Sequence, residues 1–151
     1  MRSFHSALNA TVTGVTVVTT RVGGRPHGQT VTTLSSISDE PPQLLVAVSP
    51  ELAAAIVERG AFAANVLGDD QARVAEAFRA CDPEFLTRDW WPFGGGLPRL
   101  NGAAAWFECS LARVVPAGER VLVMGDVIRA ARGSARPLAY VRRGYAAPLA
   151  A

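Results

Sequence analysis

Cysteine, histidine and long apolar runs are what this sequence has least of. Cys81 and Cys109 are its two cysteines, and no Cys-x-x-Cys pair is present. That spacing supports neither a disulfide framework nor a zinc site, so two reduced thiols and no bound metal are expected. Nowhere is there the run of about 18 or more apolar residues that a membrane-spanning helix needs. The opening stretch MRSFHSALNATVTG also lacks the unbroken apolar segment of a secretory signal, so a cytoplasmic protein with no membrane partner is expected. Fifteen basic and 13 acidic residues leave a net charge of +2, and they are scattered without a polybasic run. Nucleic acid is therefore not an expected partner. No Gly-x-Gly-x-x-Gly follows a strand-like segment, which argues against a doubly wound dinucleotide fold. A chain of 151 residues can bury one core but not a separate cofactor domain beside a substrate domain, so one domain over 1–151 is expected.

What is present is mostly strand-forming. Gly14 to Thr20 is rich in β-branched residues at period two, and Gly23-Gly24-Arg25-Pro26 follows as a reversal, which together signal a hairpin. The returning segment Gln29 to Ser36 has strand-forming residues but carries hydroxyls on both faces, so it has an exposed edge or something polar to bind. After Pro41-Pro42, Gln43 to Val48 reads as a strand buried on both faces. Ser49-Pro50-Glu51 starts a short helix that Gly60 ends. Phe62 to Leu67 returns to strand, and Asp69-Asp70 is placed to cap a second helix with Val74, Ala75 and Phe78 on one face. Prolines and glycines make Trp90 to Pro98 a long aromatic loop. The strands Ala104 to Val115 and Val121 to Ala130 flank a turn at Pro116-Ala117-Gly118-Glu119, and Pro137 to Val141 supplies a last strand. Strands joined by turns favour an antiparallel barrel.

Particular segments then carry a resemblance. Phe4, Ala7 and Thr13 to Thr20, followed by Gly24 to Ser38, resemble the flavin reductase-like family, the reductase components of two-component flavin monooxygenases. Asp39 to Val46, Phe62 to Leu67 with Asp70, Gln71, Ala75 and Phe78, and Pro137 to Tyr140 with Tyr145 follow in the family's order. The resemblance implies a mainly β fold, a six-stranded antiparallel Greek-key split β-barrel with two or more short helices. It further implies a homodimer with flavin sites near the subunit boundary, FMN or FAD as cofactor, and NADH or NADPH as hydride donor. The implied activity is an NAD(P)H:flavin oxidoreductase whose diffusible reduced flavin serves a partner monooxygenase.

A flavin ring needs an apolar slot with donors at its carbonyls and N5, and a place for phosphate. By the resemblance, the cofactor lies along Gln29, Thr30, Val31, Thr32, Thr33, Ser35 and Ser36, beside Val48 and Ser49, with Asn65 and Leu67 lining the site. Without it, the hydroxyl-rich segment reads as an edge strand. Asn65, an amide among apolar neighbours, must be satisfied by backbone or by ligand. His27, beside its turn, reads as a solvated surface residue, and His5 has less claim still. Trp90, Trp91 and Phe93 suit either a stacking surface or a plug at a dimer seam, and the seam is favoured.

Two departures from the family bear on function. The turn Val48-Ser49-Pro50-Glu51-Leu52 is shorter by about two residues than the family's phosphate-holding turn. It also places a carboxylate near the expected phosphate and loses one N–H to proline. At Arg120 the family often has histidine near flavin and nicotinamide, a residue that can both donate and accept. These departures support an alternative: a non-redox split barrel with weakened or lost flavin binding that binds or transforms another small, aromatic natural-product-like molecule. Hydride transfer needs alignment of N5 with C4 rather than a protein acid or base, so the departures do not exclude activity.

Overall fold

The hairpin expected at Gly23-Gly24 begins the barrel in a computed structural model, which describes residues 1–80 and 96–148. β2 (Thr16–Val22) pairs antiparallel with β3 (Arg25–Val31), from Thr16 opposite Val31 to Val22 opposite Arg25. Gly23 and Gly24 hold φ of 55° and 78°, the left-handed pair that a two-residue hairpin turn requires. β3 stops at Val31 instead of running on to Ser36. Residues 32–34 leave the ladder, and β4 (Ser35–Asp39) pairs with β5 (Pro42–Val48).

That interruption closes the fold. The large sheet has seven strands in the order β3-β2-β6-β7-β8-β5-β4, so β3 and β4 lie at opposite edges. The four residue steps from Val31 to Ser35 span at most ~14 Å at about 3.6 Å per residue, so the two edges must come together. The sheet therefore curls into a barrel whose last seam has no ladder. A side chain bridges it instead, with Ser49 N–H donating to Gln29 Oε1 at 2.9 Å.

α2 (Pro50–Arg59) starts as the sequence indicates: Ser49 Oγ accepts from Leu52 N–H at 3.2 Å, and Gly60 ends the helix in the left-handed conformation. β6 (Ala61–Val66) leads to α3 (Ala72–Arg79). The long hairpin of β7 (Ala105–Ala117) and β8 (Arg120–Arg132) follows, and β8 returns beside β5 in Greek-key order. Its turn is only Gly118-Glu119, because Pro116 and Ala117 stay paired with Val121 and Arg120. β1 (Val12–Gly14), β9 (Ala139–Val141) and β10 (Gly144–Ala146) form a separate three-stranded sheet, and α1 (Arg2–Leu8) precedes them. The six strands of the implied barrel correspond to β2, β3, β5, β6, β7 and β8, and the last strand expected at Pro137 to Val141 is β9 of the small sheet. β1, β4 and β10 were not expected.

Two apolar clusters organise these elements. Val18, Val46, Phe62, Cys109 and Val123 fill the barrel interior, plugged at one end by Leu52 and Ile56 of α2. Val15, Val17, Leu67, Val74 and Phe78 lie between α3 and the outer face of β2. The strands buried on both faces are thus β2 and β6. β5 buries Leu44, Val46 and Val48 but leaves Gln43, Leu45 and Ala47 half-buried, because its outer face borders the seam. The residue before α3 is Gln71 rather than an aspartate, and its side chain accepts from Gly68 N–H and donates to Asn101 O. Asp69 pairs instead with Arg136 at 3.6 Å. Among the described residues, no helix is long and apolar enough to cross a membrane.

Candidate functional site

Where the sheet edges meet without pairing, a cavity of about 380 Å³ opens on the outer side of the barrel. Val15, the residue before β2, and Val31, the last residue of β3, with Ala47 of β5, give it an apolar floor. Ala47 faces it because it alternates with Val46 and Val48, which point inward. Thr30, Thr32 and Thr33 add hydroxyls at the interrupted strand. The Thr30 hydroxyl donates to Ala75 O at 2.7 Å, which fixes α3 against β3. Arg79, one helical turn beyond Ala75, thereby reaches the cavity.

Two guanidiniums, Arg79 and Arg120, face a space that no carboxylate lines among the described residues. Glu76 stands behind it. Tyr145 Oη donates to Glu76 Oε1 at 2.7 Å, and Arg79 lies 3.6 Å from the same carboxylate. Burial first, then the hydrogen bond and charge of Glu76, push the Tyr145 hydroxyl up to about 12. Tyr145 is therefore a fixed donor, not an acid working near neutrality. Its ring meets Tyr140, also in the cavity wall, at 5.5 Å and 58°. The result is a slot for a flat apolar ring, with hydroxyls along one side and positive charge for an anionic tail. Cys109 lies elsewhere, buried in the barrel, where desolvation and then the charges of Asp126 and Glu108 push its thiol up to about 12.

Five of the expected site residues meet here: Thr30, Val31, Thr32, Thr33 and Arg120. The others are placed differently. Gln29 and Ser49 hold the seam together. Ser35 and Ser36 lie exposed on β4. Val48 and Leu67 are 0% exposed in the two apolar clusters. Asn65 is likewise 0% exposed. Its Nδ2 donates to Val17 O at 3.0 Å and Thr19 Oγ1 at 3.2 Å, and its Oδ1 accepts from Leu100 N–H at 2.9 Å. Of the two ways to satisfy this amide, the structure displays the internal one. Glu51 is exposed in the first turn of α2 and does not line the cavity. Trp90, Trp91, Phe93 and Cys81 lie outside the described residues. Sequence reasoning missed Arg79, whose signal was its i+4 spacing from Ala75 on the face that packs against β3.

Comparison with known proteins agrees with this architecture. A family model described as a flavin reductase like domain matches residues 8–148. A probable flavin reductase of Rhizobium meliloti is 37% identical over 151 residues, covering 97% of this chain and 49% of its own length. The FMN reductase (NADH) SmoA of Agrobacterium fabrum is 38% identical over 141 residues, covering 92% of this chain and 81% of its own. The chain spans only 49% of the first of these relatives, and only 66% of the stachydrine N-demethylase reductase subunit Stc3 of Rhizobium meliloti, to which it is 36% identical. Among solved structures, BorF, the flavin reductase component of a bacterial two-component tryptophan halogenase, superposes with a TM-score of 0.85. It is 34% identical over 97% of this chain and 96% of that one.

Proposed function

The chain belongs to the flavin reductase-like family, and from that premise we propose that it is an NAD(P)H-dependent flavin reductase acting as one split-barrel domain. The observation that carries the reading is the cavity at the unpaired seam, which joins an apolar floor, a hydroxyl-bearing strand end and two guanidiniums with no carboxylate in its lining among the described residues. Those residues fit FMN or FAD: a flat ring for the floor and an anionic tail for the cations. A flavin bound there would supply the redox chemistry, as the acceptor of a hydride from a nicotinamide.

The protein's part is alignment and exclusion of water. Val15, Val31 and Ala47 keep the floor dry, while Thr32 and Thr33 offer polar groups that fix an edge of the ring. Arg79, held by Glu76, and Arg120 attract the phosphates. Arg120 takes anion recognition where relatives place histidine, and Arg79 offers a cation that the Ser49-Pro50-Glu51 turn lacks. No proton-transfer pair is required, because aligned cofactors need none. The rim cations are exposed, which suits a flavin that leaves after reduction to serve a partner monooxygenase. A homodimer working in the cytoplasm, where reduced nicotinamides are available, completes the reading.

The test is NADH and NADPH oxidation at saturating FMN or FAD. Turnover is expected, and Arg79→Ala and Arg120→Ala should each weaken flavin or nicotinamide binding by about 1–3 kcal/mol, the usual scale for a lost charge-assisted bond. Absence of turnover, with flavin affinity unmoved by either substitution, would replace this reading with the non-redox one.

A further inference from the structure

Arg142 and Arg143 form the two-residue turn between β9 and β10, and both hold positive φ, 49° and 63°. Turns of this kind are ordinarily made by Asn-Gly or Asp-Gly, because a side chain in the left-handed region is strained. Two long cations kept there point to a use for the cations, since such strain clusters at ligand clamps. Neither guanidinium has an ion-pair partner among the described residues.

The turn borders a second cavity, of about 280 Å³. Besides the two arginines, His5 and Asn9 line it, with the hydroxyl-bearing Thr11 and Thr13, and no carboxylate does so among the described residues. The Thr13 hydroxyl is buried and has no hydrogen-bond partner. Thr13 stands opposite Tyr140 in the β1–β9 ladder, so the small sheet itself carries this orphaned group to the cavity wall. Thr32 and Tyr140 line both this cavity and the larger one. The two spaces therefore share a wall, and together they fall within the ~300–1,000 Å³ of sites that bury a whole organic ligand.

We propose that the Arg142-Arg143 turn and its cavity form an anion subsite for the adenosine diphosphate half of a dinucleotide whose reactive ring lies in the larger cavity. The inference rests on the flavin reductase reading for the identity of that ring, but not for the subsite itself. Arginine pairs bidentately with phosphate oxygens, and two adjacent forks suit a pyrophosphate better than a single monoester. Thr13 supplies a further donor. Both FAD and the nicotinamide dinucleotides carry this half, whereas FMN has only one of its phosphates and no adenosine.

ADP is the probe, titrated calorimetrically into the unmodified protein and into Arg142→Asn/Arg143→Gly. That pair suits the turn better than arginine does, so the variant should melt no lower than its parent. ADP affinity should fall at least tenfold, while FMN, which carries a single phosphate and no adenosine, should lose clearly less than ADP does. A parallel loss for FAD at unchanged NADH KM assigns the subsite to the flavin. A rise in NADH KM at fixed FMN, with FAD affinity unchanged, assigns it to the nicotinamide dinucleotide. If ADP binds equally to both proteins, or FMN weakens as much as ADP, the inference falls even where flavin reduction is intact. If ADP binding depends on the arginines but no flavin is bound or reduced, the subsite stands and the reductase reading falls.

Discussion

The two faces of β2 make the most instructive contrast in the molecule. Val18 points into the barrel, where it shares one cluster with residues from five other strands and α2. Packing there leaves no spare volume: a Cβ on Gly125 would sit 2.6 Å from both Cys109 Cβ and Phe62 Cε1. Val15 and Val17 point outward, into a cluster covered by α3 and edged by Tyr140 and Tyr145. That face ends at the unpaired seam and its 380 Å³ cavity. One strand thus serves a face that holds the fold and a face that holds a ligand. The difference comes from what lies opposite: a closed set of apolar side chains inside, and hydroxyls, tyrosines and guanidiniums outside.

The contrast is most directly broken at Phe62. It is 0% exposed in the interior cluster, so Phe62→Ala removes a large side chain from a space that cannot collapse freely. A loss of about 3–5 kcal/mol is expected in denaturant unfolding. Flavin affinity of the folded protein should hardly move, because the deleted ring faces away from the cavity. A comparable loss of affinity at small cost in stability would mean that the two faces are not separate.

Asn65 sharpens the comparison, because it sits on β6 with a polar group in an apolar setting. Its amide ties Val17 O and Thr19 Oγ1 to Leu100 N–H, while Thr19 Oγ1 donates to Pro98 O. Asn65→Ala would leave buried backbone groups unpaired and should cost about 1–3 kcal/mol of stability. Flavin affinity is expected to stay within about threefold. A variant of unchanged stability that binds flavin poorly would return Asn65 to the ligand.

How much of this was legible in the sequence follows the same division. The interior was readable: β-branched period two in β2, the capping Ser49 with Pro50, and the glycine reversal each express a local rule. The seam was not. Thr30 to Ser36 shows the same residue types throughout, and nothing local says that the ladder stops at Val31. The stop follows from topology, since β3 and β4 must occupy opposite edges of one sheet. Val48 and Leu67, which the resemblance set beside the cofactor, are buried in the two apolar clusters, and a likeness between segments does not show which way each side chain faces. Arg120 came from likeness to the family. Arg79 needed the Thr30 to Ala75 hydrogen bond, and the paired left-handed arginines at 142 and 143 needed a backbone.

The smallest expected effect compares the two faces through protons. The thiol of Cys109, inside the barrel, and the hydroxyl of Tyr145, at the cavity, are both raised, from 9.0 and 10.0 to about 12. In each case the folded state holds the proton more tightly than the unfolded chain does. Their contribution is therefore fully present below about pH 9. It declines as pH rises toward 12, because the unfolded chain loses these protons first. Cys109 is 0% exposed, and its shift comes first from desolvation that any folded form of the barrel must keep. Tyr145 is half-buried, and Arg79 opposes part of its shift. Unfolding midpoints taken in steps from pH 8 to pH 11 should thus fall in the unmodified protein. They should fall less steeply in Cys109→Ala than in Tyr145→Phe. The reverse order would place the drier environment at the cavity, and the closed interior would no longer be the face that fixes alkaline stability.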